Sequence, residues 1–205
     1  MGAAADCETI GAGFLGQPVN SLTTLAFLVA GAALVGLRPD RKWAGIALAA
    51  TGFGSFLFHG PMPAGGEWAH DVTLAWLITI VAGLDSRWER LTRLPALLAL
   101  AVVFALFPVA ADPVAVLITV VAVLTLLRRD RSRRTLSPLL LLAVVAIYGR
   151  LGATGGPLCD PGSVFQPHAV WHLGAALSGA WLVLALSDPD AGGTGGPRQA
   201  ADPVQ

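Results

Sequence analysis

Charge is what this sequence has least of. Only 13% of its 205 residues are Asp, Glu, Lys or Arg, roughly half the share of a soluble globular domain, about 25%. That shortage argues against a soluble enzyme. The 13 basic and 13 acidic side chains cancel, and no basic patch or RNA-type motif is present, so nucleic-acid binding lacks its electrostatic term. Lysine is nearly absent: Lys42 stands against 12 arginines, a bias of GC-rich coding that carries no function. The only cysteines are Cys7 and Cys159. They rule out a disulfide-rich scaffold and leave no cysteine cluster at metal-ligand spacing. A cationic n-region and a cleavage site are also missing from the start, so the first apolar span is expected to be retained.

What is present is apolar: 55% of the residues are hydrophobic and the mean hydropathy is +0.68. Apolar runs with little or no charge lie near Val19 to Leu37, Trp43 to His59, Glu67 to Leu84, Leu94 to Val109, Pro113 to Leu127, Leu136 to Leu151 and His168 to Leu186. Crossing about 30 Å of hydrocarbon takes roughly 20 helical residues, so the fourth, fifth and sixth runs are short unless their flanks extend the helix. The expected fold is an all-α membrane protein, a seven-transmembrane helix bundle. Its loops are short enough to make neighbouring helices antiparallel.

Three alternate loops hold 11 of the 13 basic residues, at Arg38 to Lys42, Arg87 to Arg93 and Arg128 to Arg134. The positive-inside rule then places the N-terminus outside and the C-terminus in the cytoplasm. With the arginine bias, the expected location is a bacterial cytoplasmic membrane. The domain is read over residues 1–187. Gly, Pro and Asp without apolar periodicity over 188–205 predict a disordered cytoplasmic tail. A transporter would be expected to show repeats or broken helices with midplane charges; only Arg150, near the end of the sixth run, is an unexplained charge.

Ionisable groups inside a span cost roughly 2.5 to 3.5 kcal/mol each, so those that persist usually line a cavity or a site. His59 closes the second run, His70 and Asp71 open the third, and His168 and His172 open the seventh. On the expected topology all lie at one level, near the outer face. Ser55 and His59 are four residues apart, as are His168 and His172, so each pair shares a helix face. Two imidazoles at that spacing and a third from another helix form a three-histidine set with an open position, the pattern of a catalytic zinc site. Taken singly, each histidine is as well explained as a core or helix-end residue. Their convergence at one depth beside an Asp favours the metal. Asp71 points about 100° away from His70 around a helix, which suits His70 to a supporting or interfacial place rather than to ligation.

The order S-x-x-x-H at Ser55 and His59, Asp71 further along, and H-x-x-x-H at His168 and His172 in the last span resembles the CREST superfamily. That group holds alkaline ceramidases, progestin and adiponectin receptors, and proteins of GPI-anchor remodelling. The chain is most similar to the alkaline ceramidases, through Gly54-Ser55 with Phe58-His59, the H-A-x-W-H string from His168, the Cys7-Glu8 pair, and Asn20. It departs from them in the Gly60 to Gly66 loop, which reads as one residue longer.

The resemblance implies that His59, His168 and His172 hold Zn²⁺, with Ser55 and Asp71 beside it as catalytic groups. Zinc makes water a nucleophile near neutral pH and polarises a carbonyl. Asp71 would take a proton from the water and return it to the leaving amine, and Ser55 would donate a hydrogen bond to the oxyanion. The implied activity is a zinc-dependent intramembrane amidohydrolase that cleaves ceramide or a related N-acyl membrane lipid. The zinc centre suits an esterase acting on phospholipid or GPI-type lipid equally well. A lipid-responsive receptor or membrane-organising protein with structural zinc is the alternative from another class. The resemblance also implies a Ca²⁺ site, for which Asp6, Glu8 and Asn20 are the candidates; Gln17 replaces a carboxylate there, which weakens Ca²⁺ binding. Cys7 and Cys159 both fall on the expected outer side, where a bridge would tie the N-terminal segment to the loop before the seventh span. Two independent thiols are the other possibility.

Overall fold

The structure, a computed structural model, describes residues 2–186, and among them it is helical with no strand. The tail expected over 188–205 lies outside the described residues. A 3-10 turn at Ala3–Asp6 leads to α1 (Pro18–Thr23) and α2 (Leu25–Leu37), which form one apolar stretch interrupted at Thr24. Hydroxyls explain the interruption. Ser21 Oγ donates to the Gln17 carbonyl, Thr23 Oγ1 to those of Val19 and Asn20, and Thr24 Oγ1 to that of Ser21, and such back-bonding loosens and bends a helix.

The chain continues through α3 (Lys42–His59), α4 (Gly66–Gly83), the single turn α5 (Glu89–Thr92), α6 (Leu94–Leu106), α7 (Ala111–Arg129), α8 (Arg133–Leu151) and α9 (Pro167–Leu186). Four helical segments among the described residues are long and apolar enough to cross a membrane: Pro18–Leu37, Pro108–Arg129, Arg133–Leu151 and Pro167–Leu186. The flanks of the fifth and sixth apolar runs do extend their helices, to 19 residues each, whereas α6 stays at 13. In α3 and α4 polar residues dilute the apolar character: Lys42, Ser55 and His59 in the one, Glu67, His70 and Asp71 in the other.

Glycines set how closely the helices approach. A Cβ on Gly31 of α2 would stand 2.5 Å from the Gly45 carbonyl oxygen of α3, and one on Gly54 of α3 would stand 2.7 Å from the Ala69 carbonyl oxygen of α4. Backbone therefore packs on backbone, as small residues allow in membrane bundles. The pairings Gly54 with Ala69 and Thr51 Oγ1 with the Thr73 carbonyl run α3 and α4 antiparallel. Gly152 against Pro167 and Gly174 against Val145 do the same for α8 and α9. Phe27, Leu34, Leu48, Trp76, Ile80 and Val183 are buried in the core between α2, α3, α4 and α9.

The bundle has two chemically distinct ends. At one, the Arg-bearing loops meet: Arg41 Nη1 lies 2.8 Å from Asp85 Oδ1, and Arg129 Nη1 donates to the Leu84 carbonyl at 2.7 Å. At the other lie the last turn of α3, the first turns of α4 and α9, and the segment before α1. All four histidines are at this second end.

Candidate metal centre

His59 reaches the site from the last turn of α3, and His168 and His172 from the first turns of α9. Their ring centroids lie 5.0 Å (His59–His168), 5.1 Å (His59–His172) and 4.6 Å (His168–His172) apart. One ligand nitrogen from each falls within 4.8 Å of the other two. The Nε2 atoms of all three are buried and have no hydrogen-bond partner. Three orphaned nitrogens facing one another would be a costly waste of polar groups in a core. A cation removes that cost, so these histidines are positioned to bind a metal ion.

The opposite ring nitrogens show which protons the imidazoles carry. His59 Nδ1 lies 2.6 Å from Gln17 Oε1. Gln17 Nε2 donates to the carbonyls of Ala3 and Glu8, each at 2.8 Å, which fixes the amide so that Oε1 is the acceptor. His59 must therefore carry its proton on Nδ1. His172 Nδ1 lies 3.1 Å from Thr23 Oγ1, whose own proton is engaged by the Val19 and Asn20 carbonyls, so the hydroxyl oxygen accepts. His168 Nδ1 faces Asp6 Oδ1 at 3.2 Å. All three rings thus present a bare Nε2 lone pair to the centre, the tautomer that metal-binding histidines with such outer partners adopt.

These partners come from the segment before α2, which is fastened in place. Cys7 and Cys159 form a disulfide. Thr154 Oγ1 donates to the Ala4 carbonyl and accepts from Cys7 N–H, and Thr9 N–H donates to the Pro161 carbonyl. Gln17 N–H donates to the His59 carbonyl at 2.8 Å, so Gln17 holds His59 by main chain and side chain together.

Two of the three residues named for calcium, Glu8 and Asp6, have other partners. Both Glu8 carboxylate oxygens accept backbone N–H groups, from Val19 and Asn20 at 2.8 Å, and so cap α1. Asp6 turns to His168, and burial pushes its carboxyl up to about 6, against the opposing charges of His70 and Arg150. Asn20 Nδ2 approaches Gln17 Oε1 at 3.5 Å and its Oδ1 is buried without a partner. Among the described residues the three histidines alone form a ligand group of this kind.

Ser55 is buried one turn before His59. Asp71 stands beside the centre rather than in it. Its Oδ1 accepts from His70 Nδ1 at 2.9 Å, and the His70 ring stacks on Phe58 at 5.0 Å and lies 6.4 Å from the His59 ring. The angle between neighbouring positions on a helix does not keep the two side chains apart. Asp71 also lines an open cleft of about 540 Å³ between α4, α6 and α7, with Trp68, Phe104, Val109 and Asp112.

No known family model, curated protein or solved structure matches this chain. Its functional reading therefore rests on the site. The contacts of Gln17 with His59, Thr23 with His172 and Asp6 with His168 are the parts that sequence reasoning missed; Gln17 and Asp6 figure there only in the calcium reading. Nothing in the sequence marks them, since their partners lie 42, 149 and 162 positions away.

Proposed function

We propose that this protein is an integral membrane amidohydrolase of the alkaline ceramidase type within the CREST superfamily. It holds Zn²⁺ on His59, His168 and His172 and cleaves ceramide or a related N-acyl lipid to a fatty acid and a long-chain amine. The observation that carries the proposal is the set of three buried, unpartnered Nε2 atoms, each in a ring whose other nitrogen is engaged. Neutral imidazoles suit zinc, and three of them leave a coordination position open for chemistry. Zinc in such a site supplies Lewis acidity, polarising a carbonyl and making water nucleophilic near neutral pH.

The chain's own residues supply the rest. Asp71 accepts a proton from water at its carboxylate and delivers it to the departing amine, with His70 Nδ1–H holding Oδ1. Ser55, on the same face of α3 as His59, donates a hydrogen bond to the developing oxyanion. The cleft beside Asp71 sets apolar walls at Trp68, Phe104 and Val109 next to the carboxylates of Glu67 and Asp112, a mixed lining that suits a lipid's polar head and the start of its chain. In the bilayer we place seven spans, with the histidine end and the N-terminus outside and the arginine end in the cytoplasm. Support comes from the gathering of the Arg-bearing loops at one end of the bundle.

The test is fatty-acid release by purified protein from a panel of ceramides, N-acyl amines and phospholipids, with and without chelator. Chelator-sensitive release from an N-acyl lipid is expected. Release from phospholipids alone would convert the proposal to an esterase, and no chelator-sensitive release from any member of the panel would overturn it.

A further inference from the structure

The arginine end of the bundle holds a feature that the histidine site does not use. α7 packs on α4 and α8 packs on α9, while α7 and α8 scarcely touch each other. Between them lies an open groove of about 400 Å³, lined by Val123, Leu127, Leu136, Ser137, Leu139 and Leu140, with Arg133 at its arginine-loop end. Arg131, outside that lining, adjoins it through its Nε, which donates to the carbonyl of the groove residue Leu127 at 3.0 Å. The connection from Arg128 to Arg134 carries five arginines and one acid, Asp130. That acid accepts from Ser132 N–H, Ser132 Oγ and Thr135 Oγ1 and lies within electrostatic reach of Arg134. An apolar slot thus opens along two helices long enough to cross a membrane and ends in guanidinium groups.

We propose that the α7–α8 groove binds an anionic phospholipid, with an acyl chain along Leu127, Leu136 and Leu140 and the phosphate on Arg131 and Arg133. Charge and shape select that occupant together. A guanidinium binds phosphate in bidentate fashion and stays charged at every physiological pH. Apart from the Ser137 hydroxyl the walls are apolar, which suits an acyl chain better than a soluble anion, and a zwitterionic lipid would bring its own cation to a groove end already positive. The site lies at the opposite end of the bundle from the histidines, so it does not depend on the hydrolase proposal.

The experiment is native mass spectrometry of the full chain released from nanodiscs of phosphatidylglycerol and phosphatidylcholine in equal amounts, with soluble glycerophosphoglycerol as a third arm. One phosphatidylglycerol is expected to be retained in preference to phosphatidylcholine, with the soluble headgroup not retained. Arginines near a membrane surface contribute about 1 kcal/mol each, so Arg131→Gln with Arg133→Gln should lower the preference by roughly ten- to thirty-fold. Arg87→Gln with Arg90→Gln, which removes the same charge from the same end outside the groove, should lower it by far less, because those arginines attract anionic lipid in general and hold no chain in the slot. Leu139→Trp, which fills the slot and keeps every charge, should also reduce retention. Equal retention of both lipids, an equal loss in the Arg87 and Arg90 variant, or binding of the soluble headgroup alone would each overturn the proposal. All variants are read on monodisperse protein of unchanged helix content.

Discussion

Gln17 Oε1 accepts a hydrogen bond from His59 Nδ1 at 2.6 Å, while Gln17 N–H donates to the His59 carbonyl at 2.8 Å. A fully buried amide before the first helix thereby sets the proton and the ring plane of a histidine 42 positions later.

Gln17→Leu should keep the buried volume and lose the acceptor. Loss of an outer partner of a metal-ligating histidine typically costs 10- to 100-fold in affinity, and about that loss of zinc affinity is expected. Competition against a fluorescent chelator measures it. Unchanged affinity would show that Gln17 is only a packing residue.

Zinc should stabilise the folded protein through the three imidazoles. At a free concentration about 100 times its Kd, a ligand adds about 2.7 kcal/mol, so chelation should lower the Tm of the purified protein. In His59→Ala, His168→Ala or His172→Ala the Tm should no longer respond to chelator. A chelator response that survives in all three would place the metal elsewhere.

Asp71→Asn should retain zinc and lose turnover. The amide still accepts from His70 Nδ1–H, so the local geometry persists, but it takes up no proton. Zinc content by elemental analysis and fatty-acid release on one preparation separate the two effects. Full activity with bound zinc would remove Asp71 from the chemistry.

Replacing Cys7 and Cys159 with serine should cost stability, about 2 to 4 kcal/mol for a typical native bridge, and loosen the segment that carries Asp6 and Gln17. Zinc affinity should fall with it. A stable protein of unchanged affinity would mean that the hydrogen bonds of Thr154 and Thr9 hold the segment unaided.

Gly45→Val should destabilise the bundle by about 1 to 3 kcal/mol, as overpacking of a filled core does. The first added carbon already meets the Gly31 carbonyl oxygen at 2.8 Å. Thermal unfolding in detergent measures it, with Gly36→Ala, at an open position, as the neutral control.

Much of the helical frame was legible in the sequence, because the pattern that marks an apolar helix is local. Apolar runs with little charge, separated by polar turns, locate most helix bodies to within a few residues. The ends of α7 and α8 stay open in the sequence, because arginines read as loop although Arg128, Arg129, Arg133 and Arg134 continue the helices. The i and i+4 spacing of His168 and His172 was equally visible, and it made His59 the natural third member.

The sequence by itself determined a helical, membrane-like chain with its ionisable groups gathered near helix ends, since hydropathy and helical periodicity depend only on neighbours along the chain. Tertiary structure alone decided that Gln17, Thr23 and Asp6 meet the outer nitrogens of the three histidines, that Glu8 caps α1, and that α7 and α8 part above Arg133. Those are contacts between groups far apart in sequence. They exist because close glycine packing and the Cys7–Cys159 bridge bring the helix ends and the N-terminal segment to one place.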